Sequence, residues 1–197
     1  MRARGEDVYF LSAGQPGIPP DEELVEYMMK IVLSERGKVF RYSPSRGLPT
    51  LLEAISRDLK KYGKIDVPSS NILVTTGASE AIYVAILALV KERREAVIFD
   101  PTYVIYRDTL EFVGAKIKRI PEHIENEFQP SEEAIREALS NKTSVVIITT
   151  PDNPTGRILD ESRAKLIVDL AREYDFWIIA DEAYKHMVYE GEHLWLS

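Results

Sequence analysis

The sequence predicts an α/β fold: a mostly parallel β-sheet with helices on both faces. From about residue 71 onward, short β-rich runs alternate with amphipathic or apolar helical segments. Two of those runs, Val145–Ile148 and Trp177–Ala180, are almost continuously apolar, as strands covered on both faces must be. The composition allows a core of that kind, with 45% of the 197 residues hydrophobic and 29% charged.

The elements follow in order. Asp21 to Ser34 carries apolar residues at Leu24, Tyr27, Met28, Ile31 and Val32, the spacing of an amphipathic helix, with Asp21 at its favourable N-terminal end. A second helix runs from Pro49, acceptable in a first turn, to Tyr62 and stops at Gly63. Asn71–Thr76 reads as a strand, broken by Gly77 before an apolar helix from Ser79 to Lys91. Four further strands are expected at Ala96–Asp100, Lys116–Ile120, Ser144–Thr149 and Phe176–Asp181, with helices at Tyr103–Val113, Ser131–Leu139 and Asp160–Tyr174 between them. Residues 1–45 show no strand–helix alternation and read as an N-terminal arm and helix; residues 46–197 form the sheet domain.

Composition also narrows function. A net charge of −7 argues against nucleic acid as the main partner. The longest apolar stretch, Ala81–Val90, is too short to span a bilayer, and the N-terminus leads into no signal-peptide core, so a cytoplasmic protein is expected, without a membrane partner. There is no cysteine, and His123, His186 and His193 form no helical ligand pair, which leaves little basis for zinc, and no metal site is expected. Few Asn and Gln beside many Glu, Lys and Arg lean toward a thermophilic source.

In sheets of this type ligands bind beyond the carboxyl ends of the strands. Four segments stand there: Gly77-Ala78-Ser79, Pro101-Thr102-Tyr103, Pro151-Asp152-Asn153-Pro154-Thr155-Gly156 and Asp181-Glu182-Ala183-Tyr184. The first joins a strand to a helix, where backbone N–H groups and the Ser79 hydroxyl can converge on a phosphate; Ser79 as a plain N-cap is the alternative. Asp181, ending a buried strand, needs a cation or a donor, and a protonated pyridine nitrogen would serve; capping of the next turn is the other reading. Asn153 and Tyr184 can each donate to a phenolate oxygen on the opposite edge of such a ring, and Tyr103 can stack on its face. Taken singly, Tyr103 reads rather as a core aromatic and Asn153–Gly156 rather as an ordinary turn. Lys185 reads as a surface residue. A serine hydrolase using Ser79 as nucleophile with His186 or His193 is the rival reading, although it leaves Asn153 and Asp181 without a role.

Asn153-Pro154-Thr155-Gly156 and Ala180-Asp181-Glu182-Ala183-Tyr184, with Asn153 and Asp181 28 residues apart, resemble the paired signatures of the class I/II (fold-type I) aminotransferases that use pyridoxal 5′-phosphate (PLP). Ser12–Gly17, Arg41–Gly47 and Thr75–Ala81 resemble that family in the same order. The resemblance implies the large domain of a PLP-dependent transferase that moves an amino group between an amino acid and a 2-oxo acid. It implies that Ala78 and Ser79 hold the cofactor phosphate, Tyr103 stacks on the ring, Asn153 and Tyr184 bond its 3′ oxygen, and Asp181 pairs with its nitrogen. Asp181 and Tyr184 are thereby the expected catalytic residues, and Gly14 and Asn153 the expected substrate contacts. Tyr42 matches a tyrosine that crosses a dimer interface to the partner's phosphate, so the full-length enzyme is expected to be a homodimer. A cis Asn153–Pro154 bond is implied as well.

The family's Schiff-base lysine, in a Ser-x-Ser-Lys context some tens of residues after the Asp-x-x-Tyr segment, has no counterpart before Ser197. The sheet domain is therefore expected to be incomplete at its C-terminus, and the 197-residue chain to be inactive alone, a non-catalytic fragment or PLP-binding domain. The expected result is no transaminase turnover by this chain, and no single lysine labelled when PLP is added and the mixture reduced with borohydride. Peptide mapping that found stoichiometric labelling of Lys185, together with turnover, would contradict this.

Overall fold

The computed structural model describes residues 18–90 and 95–196, and the chain divides between Ser45 and Arg46 into two compact units. The first unit contains α1 (Glu22–Ser34) and the short α2 (Arg36–Val39). Asp21 caps α1 as its sequence position suggests, its carboxylate accepting the Glu23 N–H at 2.9 Å. The apolar stripe of Leu24, Tyr27 and Met28 lies exposed.

The second unit contains α3 (Pro49–Asp58), α4 (Gly77–Leu89), β1 (Glu95–Asp100), α5 (Val104–Phe112), β2 (Lys116–Pro121), α6 (Glu132–Ala138), β3 (Thr143–Thr149), α7 (Glu161–Tyr174) and β4 (Trp177–Asp181). Pro49 occupies the first turn of α3, which ends in a π-helical turn at Leu59–Gly63. Ser131 and Asp160 cap α6 and α7, accepting the N–H groups of Ala134 (3.1 Å) and Arg163 (2.9 Å). No helix among the described residues is long and apolar enough to cross a membrane.

The strands lie in the order β2-β1-β3-β4, all parallel. Successive side chains on a strand point to opposite faces, and the core divides accordingly. Val97, Phe99, Val146 and Ile148 pack with Ile135, Ile167 and Leu170 of α6 and α7. Ala96, Ile98, Val145 and Ile147 pack with Ile82 and Ile86 of α4 and Tyr106 and Leu110 of α5. β3, paired on both sides, is buried along its whole length, whereas β4 has one pairing partner among the described residues and is partly exposed. The α/β sheet with helices on both faces is thus the observed architecture.

One expected strand is absent. Ile72 is extended, but residues 71–76 pair with no strand among the described residues; Ser69–Asn71 instead make a 3₁₀ turn. A strand exists through its ladder, and this segment's hydrogen bonds go elsewhere. The Val74 N–H donates to the Arg46 carbonyl at 2.9 Å. The Arg46 guanidinium donates to the carbonyls of Ser70 and Ile72, the latter at 3.1 Å.

This clasp needs a glycine beside it. Gly47 has φ +116°, and a Cβ there would stand 2.7 Å from Val74 Cγ2. Gly47→Ala is expected to lower stability by roughly 1–3 kcal/mol, read as an earlier urea midpoint. An unchanged midpoint would mean that residues 70–74 do not rest on Gly47.

Candidate active site

Because β1, β3 and β4 are parallel, the loops that follow them leave one edge of the sheet. Asp181 is the last residue of β4, in register with Thr149 on β3. Its carboxylate holds two donors: Oδ1 accepts the Ala183 N–H at 3.0 Å, and Oδ2 accepts the Tyr106 hydroxyl at 2.7 Å. The strand-end carboxylate therefore does cap the following turn, and a buried phenol holds its other oxygen.

Beside it opens a cavity of about 270 Å³ between the first turns of α4 and the end of β4. Ala78, Ala81 and Ala85 line one side, and Asp181 and Ala183 the other. α4 begins at Gly77, two residues earlier than its sequence suggests, with Thr76 as its cap residue. Ser79 is therefore not the N-cap. It stands exposed in the first turn, where amide N–H groups have no carbonyl a turn earlier to bond. The Glu80 carboxylate folds back onto the Thr76 N–H, and this bond holds its carboxyl below the usual carboxylate range.

Tyr103 precedes α5 and is half-buried, its ring edge-on to Tyr106 with centroids 5.7 Å apart. Asn153 sits half-buried in a loop folded on Asp152. The Thr155 N–H and hydroxyl donate to Asp152 Oδ2 at 3.2 and 2.7 Å, and the Asp152 N–H donates to the Arg157 carbonyl at 2.8 Å. The Asn153–Pro154 bond is cis. Tyr184 lies half-buried in the turn after β4, its carbonyl accepting the Met187 N–H at 2.8 Å.

Ala78 and Asp181 thus share a cavity, and Tyr103 is joined to Asp181 through Tyr106. Ser79, Asn153 and Tyr184 stand on neighbouring turns and do not line that cavity. Tyr42 belongs to the first unit, where it is fully exposed, and Gly14 lies outside the described residues. Lys185 departs from the surface role expected of it. Its Nζ sits 3.0 Å from Asp58 Oδ2 and 5.0 Å from the Trp195 ring centre, with its side chain only 21% exposed. The two histidines that a hydrolase would need are engaged elsewhere: His186 packs edge-on to Tyr62, and His193 meets Glu182 and Trp195.

Sequence reasoning missed two features. Tyr106 lies three residues after Tyr103 and gave no sign of reaching Asp181. The second is a buried pair beneath the Asn153 loop, in which Arg157 Nε meets Glu122 Oε1 at 3.0 Å with both side chains essentially sealed from solvent. Arg157 also stacks over Phe99, 5.7 Å from the ring centre. Burial pushes the Glu122 carboxyl up to about 8; Arg157 opposes the rise, and Asp152 adds to it.

A family model, aminotransferase class I and II, matches residues 6–196. The chain belongs to that family. It is 37% identical over 185 residues to an aspartate aminotransferase of Pyrococcus horikoshii, covering 94% of this chain and 46% of that protein. To a probable aspartate aminotransferase of Methanocaldococcus jannaschii it is 34% identical, with 95% and 48% covered. Among solved structures, an aspartate aminotransferase from Thermotoga maritima superposes with a TM-score of 0.90 at 32% identity, covering 99% of this chain and 51% of the other. An alanine aminotransferase from Pyrococcus furiosus superposes at 0.91 with 29% identity, covering 99% and 50%. The chain spans about half the length of the curated relatives it matches.

Within this aminotransferase fold the Glu122–Arg157 pair generates a pH dependence. An unfolded glutamate titrates near roughly 4.3, whereas the folded Glu122 keeps its proton up to about 8. Between those values the folded state binds the extra proton, so stability falls as pH rises through the window and levels off above it. Glu122→Gln cannot ionise and is expected to lose less stability than the native chain between roughly pH 4.5 and pH 8. Urea midpoints of both proteins across that range measure this; a constant difference would mean that Glu122 titrates as an ordinary glutamate.

Proposed function

We propose that the full-length protein acts as a PLP-dependent aminotransferase, exchanging an amino group between an amino acid and a 2-oxo acid. The observation that carries this reading is the Asp181 carboxylate, fixed by two donors in a cavity whose other wall is the start of α4. The residues present fit the cofactor. Alanines at 78, 81, 85 and 183 leave room for a flat ring, an anionic partner stands on one wall, and a helix N-terminus that favours anions stands on the other.

When bound, the cofactor supplies an electron-withdrawing ring that accepts the electrons of the substrate's α-carbon. Asp181 would hold a proton on the ring nitrogen. The first turn of α4 at Ala78 and Ser79 would bind the phosphate through backbone N–H groups and the Ser79 hydroxyl. Tyr103 would cover one face of the ring. Asn153 and Tyr184 would donate to the 3′ oxygen. Gly14 and Asn153 would meet the substrate carboxylate. Tyr42 would serve the partner's phosphate, which makes the full-length protein a homodimer in this reading. The lysine that moves the proton is expected from the length that the relatives have and this chain does not span. The relatives carry names for aspartate, alanine and aromatic donors, so the reading stops at the class of amino acid and 2-oxo acid.

In the full-length protein, Asp181→Ala is expected to lower turnover by roughly two orders of magnitude or more while circular dichroism and gel filtration stay native-like. Near-normal turnover would remove Asp181 from this role.

A further inference from the structure

Tyr106 belongs to none of the motifs above, yet it is the polar side chain most deeply joined to the site. It lies on α5 and is 1% exposed, one of the larger side chains of the core. Its hydroxyl stands 2.7 Å from Asp181 Oδ2 and 2.8 Å from Thr149 Oγ1. A phenol has one proton, and an ionised carboxylate only accepts, so Tyr106 donates to Asp181 and receives the Thr149 proton. The chain of donors runs Thr149 to Tyr106 to Asp181, across β3, α5 and β4.

The backbone sets both ends of this relay. Thr149 and Asp181 are register partners on neighbouring strands, and the Thr150 N–H donates to the Asp181 carbonyl at 3.1 Å. Tyr106 reaches them from the helix face that the Ile98 and Ile147 side chains pack against. Its ring also meets Tyr103 edge-on, at an interplanar angle of 85°. Burial first, and the hydrogen bond to Asp181 second, push the phenol far above its ordinary range, so it stays a donor at any physiological pH.

We propose that Tyr106 is a positioning residue that fixes the plane of the Asp181 carboxylate and, through its edge contact with Tyr103, aligns the stacking ring with it. The inference rests on the reading that Asp181 pairs with the cofactor's ring nitrogen. With Oδ1 held by Ala183 N–H and Oδ2 by Tyr106, both oxygens are pinned, and the carboxylate cannot turn away from a ring lying in the cavity. Without Tyr106 only the Ala183 bond remains, and the carboxylate is free to swing about it. The cost is expected in the ring's protonation and in the chemical step more than in substrate binding, because Tyr106 lies behind Asp181 and not against the cavity.

The test uses the full-length holoenzyme loaded with PLP labelled with ¹⁵N in the ring. Tyr106→Phe keeps the buried ring and removes only the hydroxyl. The expected result is a ¹⁵N resonance displaced from the protonated toward the unprotonated position, with kcat lowered roughly tenfold or more and KM nearly unchanged. Thr149→Val approaches the relay from its other end and is expected to shift the resonance the same way by less. A wild-type enzyme with an unprotonated ring nitrogen would overturn the Asp181 reading, and this inference with it. A protonated wild type and a Tyr106→Phe variant with the same ¹⁵N position and kcat, differing only in melting temperature, would overturn the positioning role alone.

Discussion

Parallel pairing of β3 between β1 and β4 places Asp100, Thr149 and Asp181 at one edge of the sheet, and every other feature of the site depends on that pairing. The hydrophobic effect makes the pairing secure. Side chains of β1 and β3 divide between two helical layers, so a register slip of one residue would carry each set to the wrong face. Loops that begin at a sheet edge fixed in this way inherit its precision. Asp181 ends β4 itself, and Tyr103 and the Asn153 turn follow the buried strands β1 and β3 by short connections.

The same edge requires polar groups to sit against a dry core, and burying them costs free energy unless they meet partners. Two clusters meet the demand differently. Around Asp181 the hydrogen bonds are in line: a phenol, an amide and a neighbouring threonine give each group a proton or an acceptor. Under the Asn153 loop, Glu122 and Arg157 approach at 3.0 Å but off the line a hydrogen bond needs, and Asp152 adds a second carboxylate. Burial is the main cause that keeps a proton on Glu122, Arg157 opposes it, and the Asp152 charge adds to it. The loop bearing Asn153 is thereby tied to the ends of β1 and β2, since the Glu122 N–H donates to the Asp100 carbonyl at 2.8 Å.

Much of this was legible in the sequence. The helices formed within a few residues of where apolar spacing and capping residues put them, because those signals act within a single turn. Four of the five expected strands are present: β1, β3 and β4 are mostly apolar runs, and β2 alternates charged and apolar residues. The fifth, Asn71–Thr76, has the right residues but no ladder among the described residues, because pairing is a relation between segments and a run of Ile, Val and Thr specifies only one of them. The strand-end positions of Asp181, Asn153 and Tyr103 followed from the same alternation. That Ala78 and Asp181 line one cavity, while Ser79 and Asn153 stand outside it, did not.

By itself, the sequence determined the class of fold, the family, and which residue types wait at the strand ends, because periodicity and short motifs are local properties of the chain. Tertiary structure alone decided what those residues touch. Tyr106 meets Thr149 and Asp181 only because β3 and β4 bring them to its hydroxyl, across separations of 43 and 75 residues. Arg157 and Glu122 meet only where the sheet edge closes over them. Lys185 reads as a free surface amine until α3 supplies Asp58. In each case the partner is distant in sequence, and only the packing of helices on a twisted sheet brings it within reach.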